Sequence, residues 1–434
     1  MPVRSFSPAW VVSAPLGKGI DLIAESCRDL ASDKTILRAD NYQGMPRRDR
    51  ALWAHLQEGP SFLASLGSIP VIGSSLQRAT QRFVHKLPAR YPQREQSDWN
   101  RRLVEFYYYL QHQGLGRDLV EQLSKQALPL ITSSPVMAFS AEVHAYPGPI
   151  YLVCHAADPS RVWAPLEPAH TRIQWIVPTH MAEERLQAYG VPSTQIHHFG
   201  FPLSHLSVSK KGLAADVESR IQRLDPEHIF RAHKSHKVTS SRPLTLGIVA
   251  DQGWRTHDLS KLLEGCGKAL RNGTLSLHVF VGSDTKRGQS IEAMARNQLI
   301  HRHLGSSLII HANNQEALAF QSFTKALPDI DVLWSSASPW VFYSSLGLPV
   351  IVQAPIGGQE EARHAWLRGI QAGLPPLELE TASEWLMDWK QSGGLARLAW
   401  NGYGAAPSMG LERLKDLIRG KNPHDEPLHA TIPE

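Results

Sequence analysis

The stretch DVLWSSASPWVFYSSLGLPVIVQAPIGGQEEARHAWLRGIQAG, residues Asp331 to Gly373, carries the signals that decide the fold. Val332-Leu333-Trp334 predicts a short buried strand, and Ser335 to Ser338 a loop of small residues. Pro339 suits the first position of a helix. Gly347 ends that helix, and Pro349 cannot continue it. Val350-Ile351-Val352 predicts a second strand. A turn follows from Pro355 to Gly358, then a helix opened by Gln359, Glu360 and Glu361. Small residues between a strand end and a helix start leave backbone N–H groups unpaired, which favours anions and phosphates above all. Strand, loop and helix, twice over, make half of a nucleotide-binding α/β domain.

The same rhythm runs upstream. Leu244 to Ala250 reads as an almost pure strand, followed by the turn Asp251-Gln252-Gly253-Trp254-Arg255 and a helix from Asp258 to Leu270. Strands are predicted at Leu275–Val281 and Ser307–His311, with helices near Ser290–Leu299 and Gln315–Leu327. Strands that alternate with helices in this way imply a parallel sheet. Beyond Gly373 helices are predicted near Ala382–Lys390 and Leu411–Arg419. The N-terminal half repeats the pattern. Trp10–Ser13 predicts a strand, Ala14–Gly19 a turn with Gly17, Lys18 and Gly19, and Ile20–Leu30 a helix. Strands follow at Leu128–Thr132, Ile150–Cys154, Arg172–Val177 and Gln195–His198. Thr179 caps a helix whose first turns carry Glu183 and Glu184. Between 204 and 242 a polar, basic stretch encloses one amphipathic helix, Leu213–Leu224, and reads as a linker. The predicted layout is an N-terminal Rossmann-like domain over 1–205 and a linker over 206–242. A C-terminal Rossmann-like domain follows over 243–420, and a flexible tail over 421–434.

With 434 residues the chain exceeds one ordinary core, so two domains are expected. A hydrophobic content of 42% and a charged content of 20% exclude wholesale disorder. The net charge of +5 fits a phosphate ligand, an anionic membrane surface or simply a basic enzyme. Cys27, Cys154 and Cys266 are too sparse for a disulfide scaffold and lack metal spacing, which fits a reducing compartment. No apolar run is long enough to span a bilayer, and the N-terminus reads as a strand. A cytoplasmic protein, peripheral on the inner membrane face at most, is expected.

Residues 40–115 differ in composition. Phe62, Leu63, Leu66 and Ile72 are followed by Arg78, Arg82 and Lys86, with Tyr107, Tyr108 and Tyr109 beyond. Apolar surface beside cations suits a peripheral contact with anionic lipid. The same pattern suits a helix pair that packs on the core and turns a basic face to water. No nucleic-acid motif is present, so no nucleic-acid partner is expected.

Two stretches resemble the GT-B glycosyltransferases, α/β proteins with two Rossmann-like domains facing across a cleft. The first is RIQWIVPTHMAEERLQAYGVPSTQIHHFGFPLS, residues 172–204, with Gly190-Val191-Pro192 and Gly200-Phe201-Pro202. It is similar to the end of that family's N-terminal domain. The second is the stretch quoted first, with Leu346-Gly347-Leu348-Pro349 and Ile356-Gly357-Gly358-Gln359-Glu360. It resembles the donor-binding loops of the monogalactosyldiacylglycerol synthase group and, more distantly, of the lipid-linked GlcNAc transferase. The resemblance implies transfer of a sugar from a nucleotide-sugar, UDP-linked in that group, to a lipid or lipid-linked acceptor. The sequence departs from the family in three places. The first loop has no His and two glycines. The Glu that would hold the ribose falls on Phe342. The Asp expected after the strand near 154 appears as His155.

Such a transfer needs a cradle for the diphosphate, contacts to the sugar and a base for the acceptor hydroxyl. The positive end of the 339 helix can meet a diphosphate without a metal, so no metal or other cofactor is expected. Candidate donor contacts are Gly253, Arg255, Ser336, Ser338, Phe342, Gly357, Gly358, Gln359, Glu360 and Glu361. Gly17, Lys18 and Gly19 form the acceptor-side loop. The candidate bases are His155 and Asp158, at the end of a strand where α/β clefts lie, with His144 as a third. Two alternatives stand beside a glycosyltransferase. One is a GT-B protein that has lost catalysis and acts as a binding or regulatory partner. The other is a nucleotide-sugar epimerase or hydrolase.

Overall fold

The computed structural model describes residues 8–16, 18–65, 98–231, 242–251, 253–355 and 357–422. Gly17, Leu66, Arg78, Arg82 and Lys86 lie outside the described residues, as do the side chains of Lys18, Phe62 and Leu63. The chain forms two units, each with its own six-stranded sheet.

The first unit comprises the described parts of 1–202, 356–362 and 409–428. Its strands are β1 (Ala9–Ser13), β2 (Ala31–Arg38), β3 (Leu130–Thr132), β4 (Ile150–Val153), β5 (Gln174–Val177) and β6 (Ile196–His198). All neighbours are parallel, in the order β2-β1-β3-β4-β5-β6. Sequence periodicity gives no hint of β2. ASDKTILR is largely exposed along its length, and Asp33 and Lys34 take positive φ of 51° and 55°. An edge strand needs neither alternation nor an apolar face to pair through its backbone. Strands β3 and β4 are wholly buried, as strands covered on both faces must be.

The described part of 40–115 packs on this sheet. Trp53 and Leu56 of the helix Arg47–Ser65 are buried, as are Leu103, Val104 and Leu110 of the helix Asp98–His112. The Tyr108 ring lies 5.9 Å from that of Phe139. For these residues the core-packing reading holds. Among the described residues no helix is long and apolar enough to cross a membrane.

The second unit holds β7 (Leu244–Val249), β8 (Leu275–Gly282), β9 (Leu308–Ala312), β10 (Val332–Ser335), β11 (Val350–Val352) and β12 (Gly373–Leu374). Its order is β12-β11-β10-β7-β8-β9, again parallel throughout. Counted from β7, this is the 3-2-1-4-5-6 order of dinucleotide-binding domains. The protein is therefore α/β with two Rossmann-like units, the composition of the GT-B class.

Several elements differ from expectation. The helix expected from Ser290 starts at Thr285, because Asp284 caps it by accepting from Arg287 N at 3.0 Å. The helix Gly394–Ala405 is masked in sequence by its glycines, yet Gly402 is required. A Cβ there would meet Ser344 O at 2.6 Å. The segment Pro339–Leu346 forms a 3-10 helix rather than an α-helix, closed by Gly347 at φ 66°. The C-terminal helix Gly410–Ile418 and residues 356–362, placed in the second domain from sequence, group with the first unit.

One buried cation fastens the second unit. Arg220, on the helix Leu213–Leu224, is 2% exposed. It donates to Ile330 O at 2.9 Å, Leu346 O at 2.6 Å and Leu327 O at 3.1 Å. Burial lowers its pKa to about 10, so it stays charged at neutral pH. Beside it Asp331, 1% exposed, accepts from Thr245 N at 2.9 Å and from Arg223 Nε at 2.8 Å. Arg220→Met should remove the side-chain donor from three buried carbonyls, of which Leu327 O keeps Ile330 N, and cost about 3 kcal/mol or more. A lower denaturation midpoint with an unchanged slope would show it.

A half-buried histidine makes stability depend on pH. His311 Nε2 lies 3.1 Å from His278 Nδ1, and its Nδ1 lies 2.8 Å from Ser322 Oγ. Phe280 stacks on it at 4.4 Å. Burial, with His278 beside it, pushes the His311 pKa down to about 4. An unfolded His titrates near ~6.5. Between these values the unfolded chain binds the extra proton, so stability falls as pH drops from about 6.5 towards 4. Denaturation across that window should show the fall, and His311→Gln should flatten it.

Candidate functional site

In each sheet the strand order reverses at one point, and the loops leaving the carboxyl ends there diverge to open faces. In the first unit that point lies between β1 and β3. Thr132, at the end of β3, donates to Val12 O at 2.8 Å and accepts from Ser134 N at 3.1 Å. Ser134 then caps the helix Pro135–Val143, accepting from Met137 N at 3.4 Å. These bonds fix Ser133 at the mouth of the crevice.

His155 follows β4 into the same place. Its Nδ1 lies 2.8 Å from Ser133 Oγ, and Trp163 meets the ring edge-on at 5.0 Å. Gly19, after β1, lies directly against the imidazole. A Cβ at Gly19 would fall 2.6 Å from His155 Cδ2. The structure thus brings together two predicted residues, Gly19 and His155, and adds Ser133, which the sequence did not single out. Half-buried, held at Nδ1 and lodged at a topological switch point, His155 has the setting of a proton-transfer group.

The other two candidate bases are placed differently. Asp158 is 8% exposed, and both its oxygens accept from Arg185, at 2.7 and 2.8 Å. This bidentate pair ties the loop after β4 to the helix His180–Ala188. Asp158 therefore serves as an anchor, with one lone pair of each oxygen committed to Arg185. His144 closes the C-terminal end of the helix Pro135–Val143, 3.1 Å from Leu115 O. That end lies at the amino edge of the sheet, opposite the crevice, so His144 does not join His155. Burial lowers its pKa.

In the second unit the order reverses between β7 and β10. Ser336 Oγ, after β10, donates to Asp251 Oδ2, after β7, at 2.7 Å. Gly253 N donates to Asp251 Oδ1 at 2.9 Å. A Cβ at Gly253 would lie 2.9 Å from the Ser336 Cβ, so only glycine lets the two loops approach this closely. Ser338 Oγ, at the start of the 3-10 helix, is buried and has no hydrogen-bond partner among the described residues. Arg363, 7% exposed, donates to Ala337 O at 3.3 Å and sets a cation against the same loop. Predicted Gly253, Ser336 and Ser338 converge here. Asp251 and Arg363 were missed, because nothing in the pattern EEAR marks an arginine that turns inward.

Two expected donor contacts are corrected. Arg255 is exposed and paired with Asp258 of its own helix at 2.7 Å, so the buried cation at this loop is Arg363. Phe342 is 2% exposed and packs 5.0 Å from the Trp366 ring, which makes it a core residue where the resemblance implies a ribose carboxylate. Gly357 to Glu361 group with the first unit. There Gln359 Nε2 donates to Asp158 O at 3.1 Å, while its Oε1 is buried without a partner among the described residues. Gly357 O accepts from Glu361 N at 2.9 Å, and Gly358 begins the helix Gly358–Gly369. Glu360 is half-buried in its first turn.

The contact between Gly19 and His155 is directly testable. Gly19→Ala should displace the imidazole and cost about 1–3 kcal/mol of stability. Proton NMR of the histidines and thermal denaturation would report both. An unmoved His155 signal would refute the contact.

Comparison with protein-family models finds no match, and comparison with curated proteins finds none either. Among solved structures the chain is similar to Anabaena Alr3699/HepE in complex with UDP and glucose. The identity is 11% and the TM-score 0.44, with 96% of this chain and 100% of that one covered. It is also similar to UDP-GlcNAc 2-epimerase from Neisseria meningitidis bound to UDP-GlcNAc, at 11% identity and TM-score 0.45, covering 95% and 100%. A glycosyltransferase from Rickettsia africae ESF-5 matches at 11% identity and TM-score 0.42, covering 96% and 100%. Identities this low leave the chemistry of the present chain to its own residues.

Proposed function

We propose that the protein is a nucleotide-sugar-dependent glycosyltransferase acting on a lipid or lipid-linked acceptor. The observation that carries the reading is the loop pair at the β7/β10 switch point. There Gly253 and Ser336 meet, Ser338 keeps a buried hydroxyl with no partner among the described residues, and Arg363 adds a cation. Backbone N–H groups at such a point suit a diphosphate. Ser338 would donate to a phosphate oxygen, and Arg363 would offset the charge from behind the loop. The acceptor oxygen would attack the anomeric carbon and pass its proton to a base, a role for which His155 Nε2 of the first unit is the candidate. Ser133 would steady the ring through Nδ1. The nucleoside diphosphate leaves as the glycosidic bond to phosphate breaks, which inverts the anomeric centre.

The lipid part of the proposal rests on the sequence of 40–115 and on the resemblance. One observation favours a second reading, a GT-B protein without turnover. Phe342 offers no carboxylate to ribose. An absent charged acceptor removes about 1.5–3 kcal/mol per bond, a loss of roughly ten- to a hundred-fold or more in affinity.

One experiment separates these readings. The protein is melted with UDP, GDP and UDP-sugars, then incubated with labelled UDP-sugars and a lipid extract. The proposal expects a raised melting temperature with a nucleotide and label in the organic phase, lost in His155→Ala. Binding without transfer leaves the second reading. No nucleotide binding defeats the glycosyltransferase reading, and transfer of label defeats the second.

A further inference from the structure

A second cluster of chemistry-bearing side chains lies at the same edge of the first sheet, independent of the sugar-transfer reading. His180 and Glu183 stand on the first turns of the helix His180–Ala188, three residues apart and so on one face. His198 ends β6, the outermost strand, and its ring lies 4.1 Å from that of His180. One ligand atom from each of the three residues lies within 4.8 Å of the other two. His180 Nδ1 and Glu183 Oε2 are 3.3 Å apart. Two ligands on a tetrahedral zinc, each at about 2.0–2.1 Å, are separated by about 3.3 Å. The pair is therefore already at a coordination spacing.

We propose that His180, Glu183 and His198 bind one divalent transition-metal ion of the zinc class. Two imidazoles and one carboxylate select zinc, nickel or copper over magnesium or calcium, which prefer all-oxygen shells. Three protein ligands leave a coordination position for water or an anionic ligand. The site is exposed at His180, so bringing the third ligand in needs only side-chain rotation. Glu183 supplies the negative charge that offsets the positive end of its own helix, which alone would repel a cation. Bound there, the ion would tie the three-residue edge strand β6 to the helix before it. Sequence spacing hides the set, because His198 arrives from a different element.

The test uses the full chain freed of metal and titrated with Co²⁺ and Zn²⁺, with Mg²⁺ as the control. The chain has 21 His residues, so weak background binding is expected and the variants decide. One tight equivalent with a tetrahedral-type Co²⁺ spectrum is expected, displaced by Zn²⁺ and not by Mg²⁺. His180→Ala and Glu183→Gln should each weaken it ten-fold or more while leaving the metal-free melting temperature unchanged. Affinity should fall as pH falls, since imidazole must be unprotonated to bind. Absence of a tight equivalent overturns the proposal. So does a tight equivalent that survives in both variants.

Discussion

The guanidinium of Arg220 holds the second unit at the place that matters most. Its acceptors, Leu327 O, Ile330 O and Leu346 O, lie at the entry to β10 and at the end of the 3-10 helix that follows it. A single side chain thus pins both ends of the segment whose middle carries Ser336 and Ser338. Buried carbonyls at such turns cannot be left dry, although Leu327 O also accepts from Ile330 N at 3.2 Å. A neutral side chain could satisfy one of them. The planar fork of arginine satisfies all three at once. Asp331, next to this fork, fixes the first strand pair through Thr245 N. The loop between the ends is then free to be built from small residues, because its geometry is imposed from outside.

Both sheets use the same device at the point where their order reverses. A glycine admits a side chain from the neighbouring loop at a distance that any Cβ would forbid. Gly19 admits the imidazole of His155, and Gly253 admits Ser336. In each case the strands supply rigidity and the glycine supplies proximity. Polar atoms are then aimed by short bonds to serine, 2.8 Å to Ser133 in one unit and 2.7 Å from Ser336 to Asp251 in the other. The chemistry proposed for the protein depends on these two approaches more than on any catalytic residue taken singly.

Most of the architecture is legible in the sequence, since buried parallel strands are short apolar runs separated by helix caps. The strands at 244, 275, 308, 332 and 350 and the Thr179 cap can be read directly. What escapes is set by long-range contact. β2 pairs through its backbone at an edge and needs no pattern. Asp158 and His155 look alike as strand-end candidates until Arg185, twenty-seven positions on, takes both carboxylate oxygens. Phe342 reads as a lost ribose contact, but packing against Trp366 gives it a core role of its own. Arg363 carries no local mark, because its importance comes from the loop it faces.

The grouping of 356–362 and 409–418 with the first unit means that neither unit is continuous in the chain. Leu411 and Leu414 of the last helix are buried, and Gly410 lies so close to Gly200 O and Phe201 O that a Cβ would stand 2.8 and 2.7 Å from them. These residues leave the ribosome after the second unit's described residues have done so. The first unit then stays incomplete until residues 409–418 have emerged. The second unit, by contrast, lacks nothing beyond Ser408 that the structure describes. Order of synthesis and order of completion are therefore reversed. A protein cut after residue 202 would lack two segments, 357–362 and 409–418, that complete its first unit.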